Sequence, residues 1–542
     1  MHQVCQPIQR STAGPFWVAA CALGMPFLCL TAALPAWSQN LPMAQSVQVP
    51  VFVIRGFKVT GDNPLADGET TRVLAPFLRA DATLDTLQNA ATALETAMRQ
   101  QGFSLHRVSL PPQEIGDTIA LQVTSFKIGK VEIVNNSPYS DANVRQALPE
   151  LREGTTPDFA RLSIQNALAN ESLNRRLAVV LRESETASEI NATVRVKGER
   201  PWFAGVSLSN GGSRETGRDR LTLLASHGNL WDRDHVVDFA YTTSLDSPSA
   251  VRQIGASYKI PLYNLGGVVS AGLSSSTIKG DFGTFTTNGA GTSMSLGYVQ
   301  HLGGSGSSRH FLQFRLDDKL SKASAVNGLA IGVDRRSRPI TVGYLFKGET
   351  NNAPFGFGVD YSVNSPTGAG NDDVSYQLED PQRPLRARWS KLRLDGNFSA
   401  ELPAKWQLLW RGQAQYASAP LISSEQLVAG GRTWLRGAGS VFGDRGFLSA
   451  VDVYSPELAP GLRGLLFVDV ASLGNNNGTL ARPASDLLTS AGLGLRYNHT
   501  SGWYLSADYA QVLKGSVIAL STNTAAPQRG NSSVYVTVGA RF

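Results

Sequence analysis

The chain has 542 residues, 42% of them hydrophobic and 17% charged, with 53 glycines and 27 prolines. That length suits about three or four domains. The composition is too apolar for a disordered chain and too poor in Gly and Pro for a collagen-like or low-complexity one. The net charge of +6 comes from 49 basic and 43 acidic residues, and the bases are scattered rather than clustered, so no nucleic-acid partner is indicated.

The three cysteines, Cys5, Cys21 and Cys29, all fall near the N-terminus. The last two lie within an uncharged apolar stretch from Pro15 to Trp37, preceded by Arg10 and closed by Ala36-Trp37-Ser38, a small-x-small cleavage pattern. The pattern predicts a secretory signal peptide over residues 1–38. Its removal leaves a thiol-free chain, which excludes disulfide scaffolds, cysteine-based zinc sites and cysteine nucleophiles. Beyond it no apolar run of roughly 18 residues occurs, so no transmembrane helix is predicted. A membrane β-barrel stays open, because its signal per segment is much weaker.

Residues 39–50 form a short N-terminal extension in which Pro42 and Pro50 exclude a long helix. Residues 51–125 read as β-α-α-β-β. The run Val51 to Val59 is a strand, followed by a turn at Gly61-Asp62-Asn63-Pro64 and a helix over 69–78. Leu84, Leu87, Ala91, Leu94 and Met98 recur at helical spacing, with Gly102 as the stop. Strands follow at 104–110 and 118–123. Residues 126–199 repeat the pattern. A strand at 127–134 precedes a short helix with Asp141 as N-cap. A longer helix opens at Thr156-Pro157, with Pro at the first helical position, and strands at 177–181 and 190–196 close the unit.

From residue 200 to 542 helical periodicity disappears. Sixteen strand segments replace it, at 203–210, 221–227, 235–243, 253–260, 268–274, 293–301, 311–316, 340–347, 356–363, 392–402, 406–416, 447–454, 465–471, 491–497, 503–509 and 534–542. In the last, Val534, Val536, Val538, Ala540 and Phe542 share one face and Tyr535, Thr537, Gly539 and Arg541 the other. Apolar-out, polar-in alternation suits a strand between lipid and a watery lumen. A soluble sandwich explains the alternation but not the even strand number, the signal peptide and the terminal Phe together. Between the eleventh and twelfth strands lies a long loop, 417–445, rich in glycine, and loops this long are usually functional. The seven histidines show no metal-ligand spacing, and no nucleophile elbow stands in a strand-turn-helix context. No catalytic residue, metal or cofactor is predicted.

Several stretches together resemble one family. They are Leu110-Pro111-Pro112-Gln113-Glu114-Ile115, Lys127-Ile128-Gly129-Lys130-Val131-Glu132-Ile133, Asn210-Gly211-Gly212 with Thr216-Gly217, Gly431-Arg432-Thr433-Trp434-Leu435-Arg436-Gly437, Gly443-Asp444-Arg445-Gly446-Phe447 and Phe467-Val468-Asp469. Their order and spacing resemble the TpsB transporters of two-partner secretion, the haemolysin secretion/activation proteins. The resemblance covers essentially the whole chain after the signal. It implies two α+β periplasmic POTRA domains, 51–125 and 126–199, followed by an all-β 16-stranded transmembrane barrel, 200–542, in the bacterial outer membrane. It also implies an outer-membrane pore that recognises an unfolded β-rich partner through its POTRA domains and passes it to the cell surface or medium. The partner would be a secreted TpsA-type exoprotein, a haemolysin, adhesin or toxin. The barrel-assembly machinery and outer-membrane lipid would be further partners, with Phe542 as the C-terminal assembly signal.

In that family the loop between the twelfth strand and its predecessor folds back into the lumen, and its Arg meets an Asp of the thirteenth strand. The resemblance therefore assigns Arg436, with Trp434, Leu435 and Gly437, to a loop motif in the pore and Asp469 to the salt-bridge partner. Mid-strand Asp469 shares its face with Phe467 and Ala471, so that face should be the lumen. One departure stands out: the family's aromatic after Arg-Gly is replaced here by Ala438. Two other readings are an outer-membrane protein insertase of the barrel-assembly superfamily and a passive porin.

Overall fold

The computed structural model describes residues 51–542 other than 115, 173, 187, 213–216, 278, 283–284, 289, 305, 327–328 and 332. The predicted signal peptide and the extension 39–50, for which no long helix is predicted, lie outside the described residues.

The first unit comprises strand Gly56–Gly61, helices Asp67–Leu74 and Leu84–Gln100, and strands His106–Ser109 and Thr118–Ser125. Thr118–Ser125 is central in its sheet, parallel to Gly56–Gly61 and antiparallel to His106–Ser109. The long helix starts in a capping box between Thr83 and Thr86. It ends before Gly102, whose φ of 96° favours glycine. Ala91, Leu94 and Met98 are buried on it and pack towards Leu121 and Val123, and buried Leu87 packs with Ile54 and Ile119. Leu84, placed on that face by periodicity, is the first helical residue and stays 54% exposed, beyond the reach of the sheet. The Pro111-Pro112 pair cannot extend the ladder, since proline has no N–H. The Gln113 side chain does so instead. Its amide donates to the Ala120 carbonyl at 2.8 Å and accepts from the Ala120 N–H at 2.7 Å.

The second unit has the same order: strand Lys127–Asn136, helices Asp141–Ala147 and Phe159–Ala169, and strands Arg175–Glu183 and Glu189–Gly198, with the last strand central. Two helix starts differ from the sequence reading. Ser140, not Asp141, is the first cap and accepts from the Asn143 N–H. Asp141 sits in the first turn, where a carboxylate still favours the helix dipole. The second helix begins after Asp158, whose side chain accepts from the N–H groups of Ala160 and Arg161. Pro157 therefore precedes the cap, because a short acceptor at 158 satisfies the orphan donors better than proline at the first turn.

Sixteen antiparallel strands then close into a barrel. In order they are Trp202–Ser209, Arg220–Leu230, His235–Thr243, Arg252–Leu262, Gly267–Ser276, Gly291–His301, Arg309–Ser321, Pro339–Thr350, Ala353–Asn364, Ser390–Glu401, Gln407–Ala417, Arg445–Ala459, Leu462–Gly474, Asp486–Asn498, Trp503–Lys514 and Ser532–Arg541. The short piece Arg335–Ser337 continues the eighth strand beyond Arg338. The seam joins the sixteenth strand to the first from Thr537↔Ser209 to Arg541↔Gly205.

The strands alternate as a membrane barrel requires. On the thirteenth, Leu465, Phe467, Asp469 and Ala471 are buried inside, whereas Leu466 and Val468 are about half exposed outside. Exposed Trp202, Trp231, Trp406 and Trp503 ring the end that carries the two N-terminal units, where amphipathic indoles suit a membrane–water boundary. No described helix is long and apolar enough to cross a membrane. The crossing is made by strands, each paired with its neighbours in the closed sheet.

Candidate functional site

The connection between the eleventh and twelfth strands, residues 418–444, turns into the barrel. It contains a short hairpin, Leu427–Ala429 against Val441–Gly443, closed by a compact tip. In the tip the Gly430 N–H donates to the Trp434 carbonyl at 2.8 Å and the Gly431 N–H to that of Ala438 at 3.2 Å. Leu435 and Gly437 both take positive φ, 55° and 87°. That reversal aims consecutive N–H groups at the wall. The Arg436 N–H reaches Asp469 Oδ2 at 2.8 Å, and the Gly437 N–H reaches the Tyr535 hydroxyl at 3.1 Å. A Cβ at Gly437 would lie 3.1 Å from the Ala510 carbonyl oxygen on the fifteenth strand, so this position needs glycine for both φ and approach.

The Arg436 guanidinium is the centre of the contact. Its Nε donates to Asp469 Oδ2 at 2.9 Å, and its Nη2 to Asp469 Oδ1 at 2.7 Å and Asp452 Oδ1 at 2.6 Å. Its Cζ sits 3.5 Å from the Phe467 ring centroid. Arg436 and Asp469 are almost wholly buried. This is the fork-to-fork geometry that planar guanidinium groups make with carboxylates. Two carboxylates on neighbouring strands face one arginine, and Arg411 supplies a second cation to Asp452 at 3.4 Å. The cluster is thus satisfied only while the loop is in place.

Around it the loop touches much of one side of the wall. Arg432 donates to the Thr537 hydroxyl at 2.6 Å, and Arg411 donates to the Thr433 carbonyl at 3.0 Å. Leu427, Ala429, Leu435, Ala438 and Val441 pack on Leu448, Ala471, Leu473, Leu488 and Val512. Ala438 is buried there, so its methyl fits a slot that the wall already fills. Trp434 packs against the edge of this cluster and lies beside Arg411, 5.7 Å from its guanidinium carbon. The loop base has two more anchors. Buried Glu425 meets Lys391 at 2.6 Å and Lys319 at 3.1 Å, on strands ten and seven. Buried Asp444 accepts from Arg383 and Gln426 side chains and from the Leu421 and Asn476 N–H groups.

At the other end of the barrel a second buried network joins the second N-terminal unit to the turns between strands. Arg175 pairs with Asp234 through two 2.8 Å bonds, Nη1 to Oδ1 and Nη2 to Oδ2. Both side chains are nearly solvent-free. The Tyr263 hydroxyl donates to Asp234 Oδ2 at 2.5 Å, Asn143 bonds both Arg175 and Asp234, and Ser140 donates to Asp232. Burial, and then the Asp234 carboxylate beside it, holds the Tyr263 proton well above the usual phenol range. Burial works against the Arg175 charge, but Asp234 and Tyr263 outweigh it and the guanidinium holds its proton more tightly than usual. Tyr263 and Val268 also join the apolar core of the unit.

The sequence reading names Trp434, Leu435, Arg436 and Gly437 on the loop and Asp469 on the wall, and the structure brings all five to one place. Phe542 lies apart, at the seam, with its N–H donating to the Ala204 carbonyl at 2.9 Å and its ring 59% exposed on the outer face. Asp452, Tyr535, Thr537, Arg411, Glu425 and the Arg175–Asp234 pair escaped that reading. Only Asp452 left a usable sign, an acidic residue on the same face as Ala450 within an apolar strand. Among the described residues no His, Cys, Asp and Glu cluster could hold a metal ion.

Residues 187–497 match the family model described as haemolysin secretion/activation protein ShlB/FhaC/HecB, and residues 52–125 match the model of the ShlB-type POTRA domain. The heme/hemopexin transporter protein HuxB of Haemophilus influenzae strain 86-028NP is 22% identical over 483 residues, covering 83% of this chain and 81% of that protein. The outer membrane transporter CdiB of Dickeya dadantii is 21% identical over 405 residues, covering 72% and 70%. Among solved structures, CdiB from Escherichia coli superposes with a TM-score of 0.72 at 17% identity, covering 93% of each chain. CdiB from Acinetobacter baumannii gives 0.70 at 15% identity over 93% and 94%. With the matched model spanning more than half of its length, the chain belongs to the haemolysin secretion/activation family.

Proposed function

We propose that the chain is the outer-membrane transporter of a two-partner secretion system. It takes an unfolded β-rich exoprotein in the periplasm and passes it through the barrel to the outside. The observation that carries this reading is a closed barrel whose lumen is occupied by its own loop, held by the Arg436 cluster rather than by continuous sheet. A loop fixed by a few polar contacts and a modest apolar slot can be displaced; a strand of the wall cannot.

The two N-terminal units, residues 51–125 and 126–199, are POTRA domains in this reading and stand in the periplasm. Each has a mixed sheet with two open edges, the first at Gly56–Gly61 and His106–Ser109, the second at Lys127–Asn136 and Arg175–Glu183. An extended client can add to such an edge through its backbone, which suits a partner that is not yet folded. Translocation then follows the lumen-facing polar residues once the loop yields, and folding of the partner outside supplies the direction. Phe542, exposed beside the seam, is the assembly signal read by the barrel-assembly machinery, and lipid covers the apolar outer face. The role is transport, with no catalytic step assigned.

The test compares exported proteins of cells with and without this chain. Loss of one large protein from outside, with its unfolded form retained or degraded in the periplasm, is the expected result. A joint fall of several barrel proteins in the outer membrane would overturn it in favour of an insertase.

A further inference from the structure

The outer face of the barrel is not uniform around its circumference. Over the third to eighth strands it forms a groove of about 710 Å³. Its walls are apolar residues of the lipid-facing register, among them Leu273, Met294, Leu296, Leu316 and Ile340, most of them about half exposed. The groove runs upward from mid-barrel and ends at Arg338. That end is the extracellular one, opposite the N-terminal units.

Arg338 and Arg336 alternate with Ile340 along the eighth strand and so share its outward face. Both meet Asp318, Arg338 Nη2 at 2.9 Å and Arg336 Nε at 2.9 Å. One carboxylate thus faces two guanidinium groups, each still about a third exposed. The neighbouring loop adds to the excess. The Asn364 side chain accepts from the Arg338 N–H at 2.7 Å and donates to the Ala387 carbonyl at 2.7 Å. It therefore holds the segment 386–388 beside the eighth strand. Arg386 and Arg388, flanking Ala387, are exposed. Neither makes an ion pair with a described carboxylate. Buried Leu385, Ala387 and Trp389 take the alternate positions, which turns the two arginines away from the loop core.

At the outer rim above the apolar groove four arginines stand against two carboxylates, Asp318 and Asp373, the latter accepting from the Ala387 N–H at 2.7 Å. A charge facing lipid is costly unless it meets a headgroup. Guanidinium groups match phosphate oxygens bidentately, and basic clusters at the membrane boundary bind anionic lipid headgroups. We propose that this surface is a binding site for a phosphorylated glycolipid of the outer leaflet, of the lipid A class. Its phosphate lies among Arg336, Arg338, Arg386 and Arg388, and an acyl chain lies in the groove below. The site is on the outside of the wall, whereas Ser337, between Arg336 and Arg338, turns inward and donates to Glu425 of the loop, so the wall separates the site from the translocation path.

The experiment uses the full mature chain in detergent, titrated with bisphosphorylated lipid A, with the same lipid stripped of both phosphates, and with phosphatidylglycerol, and read by native mass spectrometry. The variant R338Q/R386Q/R388Q is compared with the parent, and heat-dependent gel mobility shows whether the barrel is folded. Bound lipid A should survive on the parent, and its affinity should fall about tenfold both in the triple variant and on removal of the phosphates. Should the triple variant fail to fold, R386Q/R388Q takes its place, with a severalfold fall expected. Equal binding by variant and parent, or by the dephosphorylated lipid, overturns the proposal. Equally tight phosphatidylglycerol overturns the assignment to a glycolipid.

Discussion

Replacing Arg436 by alanine should release the loop from the wall and abolish most export. The substitution leaves Asp469 buried without a cation, beside an Asp452 that keeps only Arg411 at 3.4 Å. Breaking a sequestered ion pair from one side costs about 3–5 kcal/mol. Water admitted to the lumen reduces this, and ~3 kcal/mol corresponds to a shift of roughly a hundredfold in loop occupancy. A single cysteine at Ala438, buried in the seated loop, reports it. Thiol labelling from outside should be slow in the parent and fast with R436A. The partners are unequal. Asp469 accepts three bonds from Arg436 and Asp452 accepts one, so D469N should release the loop more than D452N. The swap R436D/D469R should restore only part of the pairing, because the carboxylate introduced at position 436 would face Asp452. Unchanged labelling in R436A would show that the apolar slot alone holds the loop.

Replacing Arg175 by methionine should loosen the second N-terminal unit from the barrel. Asp234 would stay buried with only Tyr263 and Asn143 as donors, again at a cost of about 3–5 kcal/mol. Amide exchange in Asp141–Ala147 and in the turns carrying Asp234 and Tyr263 should accelerate by about a hundredfold or more. Exchange in the strands of the barrel should not change. The double variant R175M/D234N removes both charges and keeps an acceptor for the Tyr263 hydroxyl, so it should recover much of the protection. Identical exchange in the single and double variants would mean that the pair does not hold the unit. Export should fall in R175M, since the open sheet edges would no longer be held at a fixed position below the pore.

The barrel was legible because a membrane strand writes its environment locally. Val534, Val538 and Phe542 against Tyr535 and Thr537 show the period of two within one segment, and each of the sixteen segments read from the sequence overlaps one observed strand. The helix starts were less legible. Ser140 and Asp158 are capping residues next to Asp141 and Pro157, which are equally plausible on composition, and only backbone geometry separates them. Asp452, Tyr535, Thr537 and Arg411 come together from three strands around a loop tip, and each alone looks like any lumen residue. Asp234 stands in the turn after the second strand, with a φ of 58°. In the sequence it reads as an ordinary turn aspartate, because its partner Arg175 lies in another domain. The rim arginines show the same limit. Arg336 and Arg338 belong to an interrupted strand end, and Arg386 and Arg388 to a loop, and Asn364 joins them only in three dimensions.

The claim that an unfolded partner passes through this lumen is tested most directly by cross-linking during export. A photoreactive residue is placed at Asn397, on the lumen face of the tenth strand, and in a second strain at Leu394, on its lipid face. The partner is stalled in transit by a disulfide-closed segment. A covalent adduct with the partner should form from Asn397 and none from Leu394. Export continuing with no adduct at Asn397, or equal adducts from both positions, would contradict it.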